Sequence, residues 1–179
     1  MIISVIGTIG SGKDTVANFF VKKGFKKIVM SDFLRQIEKH RKIKPTRANL
    51  RKLQLELRKK YGEDILMEML LSEIVEKNLK NVVVSGLRTP QQIIFAKRKL
   101  KSKVIFVDAD PKERFIRIRA RGRHGDPKTF PEFLHEDALE NAMFHVSRNK
   151  KLADFRIDNS KDPRTLEKQL KKIAKKLKI

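Results

Sequence analysis

The sequence predicts an α/β fold, a five-stranded parallel sheet flanked by helices, and three observations carry that prediction. Apolar strand-like runs alternate with helical stretches along all 179 residues, which implies parallel pairing through right-handed crossovers. The first strand runs into Gly7-Thr8-Ile9-Gly10-Ser11-Gly12-Lys13, a Gly-x-x-x-x-Gly-Lys loop, and straight on into a helix. Small, polar or charged residues then recur where strands end, at Ser31-Asp32, Gly86-Leu87-Arg88, Asp108 and Asp158-Asn159. Ligands of such sheets sit beyond the carboxyl ends of the strands, so one pocket can collect these residues.

Met1 to Ile6 is near-continuously apolar through Ile2, Ile3, Val5 and Ile6, as a strand buried on both faces requires. Residues 13–23 place Val16, Phe19, Phe20 and Lys23 at helical spacing, and Gly24 is a natural C-terminal stop. Residues 27–30 form a short second strand. Residues 33–80 are expected to be helical, interrupted near Pro45 and Gly62. Val82, Val83 and Val84 mark the third strand, residues 90–100 a helix, and residues 104–107 the fourth strand. Asp108 and Asp110 end that strand and cap a helix opened by Pro111 and reaching Arg121. Gly and Pro make a loop of residues 121–127, and Thr129-x-x-Glu132 is a capping box for the next helix. Residues 155–157 are the fifth strand. A final amphipathic helix over residues 163–177 carries Leu166, Leu170, Ile173 and Leu177 on one face.

The Gly-rich loop carries the chemistry. Gly7, Gly10 and Gly12 let the backbone turn tightly enough for N–H groups to converge on an anion. The following helix adds the positive end of its dipole. Lys13 offers an ammonium to the outer phosphates of a nucleotide, and Thr15 a hydroxyl to Mg²⁺. Asp14 stands where the usual pattern has Ser or Thr, so the order here is Gly-Lys-x-Thr.

Composition bounds the function. The chain has the length of one domain, and it contains no apolar run near the ~20 residues that span a bilayer. With no basic leader and no cysteine, a cytoplasmic address without disulfides or thiolate metal sites is expected. Four scattered histidines, His124 and His135 among them, show no metal-ligand pattern. The formal charge is +22, from 43 Lys and Arg against 21 Asp and Glu. Between Arg35 and Lys60 eleven basic residues, Arg47 and Arg51 included, face only Glu38 and Glu56. A solvated helical face explains that run most simply; RNA contact is the second explanation, weakened by one Tyr and no Trp.

With these residues in place, the chain resembles the P-loop small-molecule kinases, the nucleoside monophosphate kinases and dephospho-coenzyme A kinases, over nearly its full length. Ile9 to Gly24 and Ala153 to Asn159 look most like the coenzyme A branch. Gly-Ser-Gly-Lys-Asp-Thr and Val84-Ser85-Gly86-Leu87-Arg88 look more like deoxynucleoside monophosphate kinases and an archaeal adenylate-kinase-related group. The resemblance implies a core of residues 1–30, 81–118 and 136–179, an acceptor-binding helical insertion at 31–80, and a lid at 119–135. It implies ATP and Mg²⁺, held by Gly7, Thr8, Ile9, Gly10, Ser11, Gly12, Lys13, Asp14 and Thr15, with Asn159 bordering the adenine. Asp32 falls where these kinases keep a carboxylate near the acceptor or metal, and Arg35 where an arginine holds the acceptor's anion. Arg88 matches the arginine that grips an acceptor phosphate, although Ser85 replaces the Asp of many relatives. Arg117 and Arg121 match the Arg-x-x-x-Arg leading into the lid. The expected activity is transfer of the ATP γ-phosphate to a small phosphorylated acceptor, a nucleoside or deoxynucleoside monophosphate before dephospho-coenzyme A. An RNA-associated P-loop ATPase is the alternative from another class.

Overall fold

A computed structural model of the chain describes residues 1–122 and 125–179, the side chains of Arg47 and Ser147 excepted. The expectations that fell on residues 123 and 124 and on the Arg47 side chain, His124 among them, lie outside what is described. The elements are β1 (Ile2–Gly7), α1 (Lys13–Val21), β2 (Lys26–Val29), α2 (Met30–His40), α3 (Arg47–Tyr61), α4 (Ile65–Glu76) and β3 (Val82–Ser85). There follow α5 (Pro90–Lys99), β4 (Lys103–Asp108), α6 (Pro111–Arg121), α7 (Phe130–Phe144), the short α8 (Val146–Asn149), β5 (Phe155–Asp158) and α9 (Pro163–Leu177).

The five strands form one sheet in the order β2-β3-β1-β4-β5, every pair parallel. β1 is central, with Ile3 opposite Val83 of β3 and Lys103 of β4. Because side chains alternate along a strand, β1 sends Ile3 and Val5 to one face and Ile6 to the other. The Ile3/Val5 face packs on α1 and α9 through Val16, Phe20, Leu166, Leu170 and Ile173. The Ile6 face packs on α2, α3, α4 and α5 through Phe33, Leu53, Leu57, Met67, Leu70 and Ile93. Each such fully buried aliphatic or aromatic side chain contributes about 1.5–3 kcal/mol. A third, smaller cluster joins Ile9 of the Gly-rich loop to Ile118 of α6 and Phe133 of α7.

One local expectation changes. Residue 30 belongs to α2 rather than to β2, so the helix begins before Asp32. Asp32 therefore sits inside the first turn of α2. A carboxylate in the first turn complements the positive end of the helix dipole. Between α7 and β5 lie α8 and a 3-10 turn (Lys150–Leu152). Both predicted caps of the second half form: Asp110 Oδ1 accepts from Lys112 N at 2.8 Å, and Thr129 and Glu132 close a reciprocal capping box. Among the described residues no helix is long and apolar enough to cross a membrane.

Candidate active site

The site begins where β1 stops. Gly7 takes φ +145°, and a Cβ there would collide with the Val107 carbonyl of β4, so only glycine fits between the strands. At the far end of the loop Gly12, at φ +92°, is the N-cap of α1 and supplies no side-chain cap. The first-turn N–H groups of α1 thus open toward the loop without a side-chain acceptor. Lys13 folds back over the loop: its Nζ donates to Gly7 O at 3.0 Å and Thr8 O at 2.5 Å. Burial lowers the Lys13 pKa from 10.5 to about 8; the Glu140 carboxylate opposes that drop, while Arg88 and Arg121 add to it.

A cleft of about 930 Å³ extends from this loop across the sheet's carboxyl edge to α2 and α3. Gly7, Ile9, Gly10, Gly12, Lys13, Asp14 and Thr15 line one end. Asp32, Arg35, Leu50, Arg51, Gln54 and Leu66 line the other, and Arg88, Arg117, Arg121 and Glu140 stand between. Thr15 is exposed on the cleft wall. Asp14, also exposed, receives a hydrogen bond from Lys27 Nζ at 2.8 Å.

Three residues named from the sequence serve the loop's architecture. Thr8 turns its hydroxyl away to donate to Asp108 Oδ1 at 2.9 Å. Ser11 is fully buried, its Oγ without a hydrogen-bond partner among the described residues. Asn159 is buried and donates its side-chain amide to Ser11 O at 2.8 Å, so that amide braces the back of the loop and is not among the cleft-lining groups.

The arginines divide by partner. Arg35 makes a 3.3 Å ion pair with Asp32 one turn earlier, both half-exposed, an arrangement that contributes at most about 1 kcal/mol. Arg88 donates through Nη1 to Glu140 Oε1 at 3.1 Å, and its guanidinium lies over the Phe144 ring at 5.3 Å. Its backbone is fixed as well, since Asn149 Nδ2 donates to Arg88 O and Arg88 N donates to Gln92 Oε1. Arg117 and Arg121 share a helix face but not a partner. Arg117 donates to Asn159 O at 2.7 Å and keeps a buried Nη1 without an acceptor among the described residues. Arg121 grips Asp126 with two 2.8 Å bonds.

One face of α7, which reaches the cleft through Glu140, carries no motif that the sequence marks. Phe133, Asp137, Glu140 and Phe144 recur at steps of four, three and four, one helical stripe. Asp137 takes a bidentate grip from Arg114 at 2.6 and 2.8 Å, with the guanidinium over Phe133 at 5.1 Å. Arg114 also donates to Ile9 O and Ala109 O, which ties α7 to the Gly-rich loop. Glu140 and Phe144 repeat the device on Arg88. A search for apolar stripes misses it, because two of the four positions are acidic. The pairing of carboxylate and aromatic at helical spacing was the available signal. His135 is exposed, and among the described residues no group of His, Asp and Glu is arranged to hold a metal ion by itself.

The parallel five-stranded sheet with helices on both faces and a Gly-Lys loop at the end of its central strand is a P-loop NTPase fold. Solved structures share it: shikimate kinase from Bacteroides thetaiotaomicron has a TM-score of 0.63 at 20% identity, covering 100% of this chain and 99% of that one. A sugar kinase from a Janibacter species has a TM-score of 0.56 at 15% identity, covering 99% and 94%. A family model described as an AAA domain matches residues 3–142. A UPF0200 protein of Hyperthermus butylicus is 33% identical over 99% of this chain and 95% of its own length. One from Pyrococcus horikoshii is 31% identical over 99% and 97%. The chain belongs to the UPF0200 family of AAA-domain proteins.

Proposed function

We propose that the protein transfers the γ-phosphate of ATP to a small phosphorylated acceptor, a nucleoside or deoxynucleoside monophosphate. The supporting observation is the single cleft that joins the phosphate loop to a second, arginine-bearing compartment. At about 930 Å³ it lies at the upper end of small-molecule sites, roughly 300–1,000 Å³, as two substrates require. Leu34, Leu50, Leu66 and Leu87 supply the flat apolar walls that suit a base, and Gln54 an amide for its edge. The names of the shikimate and sugar kinases of the same fold agree with a small-molecule kinase.

The residues present fit a magnesium nucleotide. Gly12 leaves the N-terminus of α1 without a side-chain cap, Lys13 stands over the loop, and the exposed Thr15 hydroxyl on the same turn would hold the metal. Mg²⁺ when bound neutralises phosphate charge. The chain's own work is alignment: Lys13 exchanges Gly7 O and Thr8 O for phosphate oxygens, and Arg88 holds the acceptor phosphate from the other side. Arg117 and Arg121 compensate charge on the group in transit. In this scheme residues 31–80 are the acceptor-binding insertion and 119–135 the lid. Asp32, on the cleft wall, orients the acceptor.

Nucleoside monophosphates, deoxynucleoside monophosphates and dephospho-coenzyme A, assayed singly for ADP release with MgATP, test this. ADP formation that depends on a monophosphate is expected, with Arg88→Ala raising the KM for that acceptor far more than for ATP. Dependence on dephospho-coenzyme A alone reassigns the acceptor. ATP hydrolysis stimulated by RNA without any acceptor overturns the proposal in favour of a nucleic-acid-associated ATPase.

A further inference from the structure

We infer that Arg51 of α3 is the second guanidinium of the acceptor site, forming with Arg88 a clamp for the acceptor's anionic group. The inference rests on the phosphotransferase reading and replaces Arg35, the partner that the sequence suggested for Arg88.

Both arginines line the cleft, and both are tied to one helix. Arg51 Nη1 donates to Glu136 Oε2 at 3.2 Å, and Arg88 Nη1 to Glu140 Oε1 at 3.1 Å. Glu136 and Glu140 are four residues apart on α7, so their Cβ atoms stand about 5–6 Å from each other. That common anchorage on successive turns of α7 sets the two guanidiniums side by side along the cleft, the placement a shared phosphate needs. Arg51 comes from the acceptor arm and Arg88 from the β3–α5 turn. The subsite thus draws its cations from two different elements of the fold.

Each guanidinium carries five N–H donors, and among the described residues only Nη1 of each has an acceptor. The other donors of the pair are available to a ligand. Arg51 is also the more enclosed candidate: its side chain is 21% exposed, against 50% for Arg35. Arg35 pairs with Asp32 of its own helix, which fixes no spacing relative to Arg88. Glu136 is absent from the cleft wall while Arg51 is on it, so the carboxylate props the guanidinium from the rear. A tether whose whole duty was to pin α3 to α7 would gain nothing from facing the cavity, and partly exposed pairs contribute little to stability. The arrangement favours an acceptor with a phosphate over its uncharged counterpart, because two fixed guanidiniums without an anion lose their best partner.

Calorimetric titration tests this with inorganic phosphate as the probe. MgADP is titrated first, and that curve reports whether the nucleotide site is formed; acceptor-dependent ADP release, assayed on the same preparation, reports separately whether the phosphotransferase reading stands. Phosphate is then titrated into the protein with MgADP present. Arg51→Ala and Arg88→Ala are each expected to weaken phosphate about tenfold, the loss of one charge-assisted contact. Arg51→Lys should recover part of that loss, and Arg35→Ala should stay within about twofold of the parent. Glu136→Gln should bind phosphate as tightly as the parent or more tightly, since it removes a competing carboxylate and keeps the guanidinium. A parent that binds MgADP but no phosphate overturns the inference. So does an Arg51→Ala variant equal to the parent, an Arg35→Ala variant as weak as Arg51→Ala, or a Glu136→Gln variant that loses phosphate in step with Arg51→Ala. The last result would mark the pair as a tether.

Discussion

The side-chain amide of Asn159 donates to the carbonyl of Ser11 at 2.8 Å, and its nitrogen occupies the place a Cβ on Gly12 would take. The loop after β5 is thereby packed into the back of the phosphate loop. Gly12→Ala faces that collision and a φ of +92° together. The left-handed backbone alone costs roughly 1–2 kcal/mol for a residue with a Cβ. The variant should melt earlier and bind MgADP much more weakly. Adding Asn159→Ala should recover stability in part, since it removes the collision and leaves the strain; a double variant no more stable than Gly12→Ala would place the whole defect in the backbone.

Lys13 links nucleotide binding to pH. Burial takes its pKa down to about 8 against 10.5 in the unfolded chain. Between those values the unfolded chain holds a proton that the folded chain has released, so folding stability should rise with pH across that window. Phosphate affinity should run the other way, falling as the ammonium is lost above pH 8. Lys13→Met should remove most ATP turnover, leave the fold intact and flatten both dependences. Thermal melts and MgADP titrations from pH 7 to 10 check the two signs.

Arg121 and Asp126 form a bidentate pair that the proposed mechanism must break. Arg121→Ala should lower kcat by on the order of 10³ if the guanidinium stabilises the transferring phosphoryl group. Both KM values should change little, the pattern of a contact made mainly in the transition state. Unchanged kcat would leave Arg121 and Asp126 as a local brace.

Arg114 is a basic residue that the fold has taken inside. Removing it orphans Asp137 and the carbonyls of Ile9 and Ala109, so Arg114→Ala should destabilise by about 3 kcal/mol in denaturant titration. Exposed Arg119, on the same helix, should tolerate alanine within about 0.5 kcal/mol.

Glu38 is buried on α2 without a hydrogen-bond partner among the described residues, and burial raises its pKa above 4.5. Above that value the folded chain keeps a proton longer than the unfolded one, so stability falls as pH rises through the raised pKa. Glu38→Gln should therefore be more stable than the parent at pH 7 by about 1 kcal/mol and equal to it near pH 4. Melting curves at the two pH values decide it.

The alternation of strand and helix was legible because each strand is a Val/Ile run and most helices carry strong punctuation: Gly24, Pro90, Pro111, the Thr129 box and Pro163. The phosphate loop was legible because glycine spacing and a lysine leave few other duties. The partners of the arginines were not. Arg114 and Arg119 look alike in a run of basic residues, and the sequence says nothing of which one meets Asp137. The same holds for Arg51, whose partner lies 85 positions away on α7. The start of α2 was missed because Val29 and Met30 suit a strand as well as a helix, and tertiary packing chose.

The parallel arrangement of all five strands leaves the opposite rim of the sheet chemically quiet. Gly24, Asn78 and Lys101 lie in the connections that enter β2, β3 and β4, and all three are exposed. Each already has a positive φ, and Gly24 has open space beside it, with no atom within 4 Å of an added Cβ. Anchoring chemistry introduced on that rim would hold the molecule to a sensor surface or a bead with the cleft directed into solution. Immobilised assays of nucleotide and acceptor could then be run without a support competing for the site.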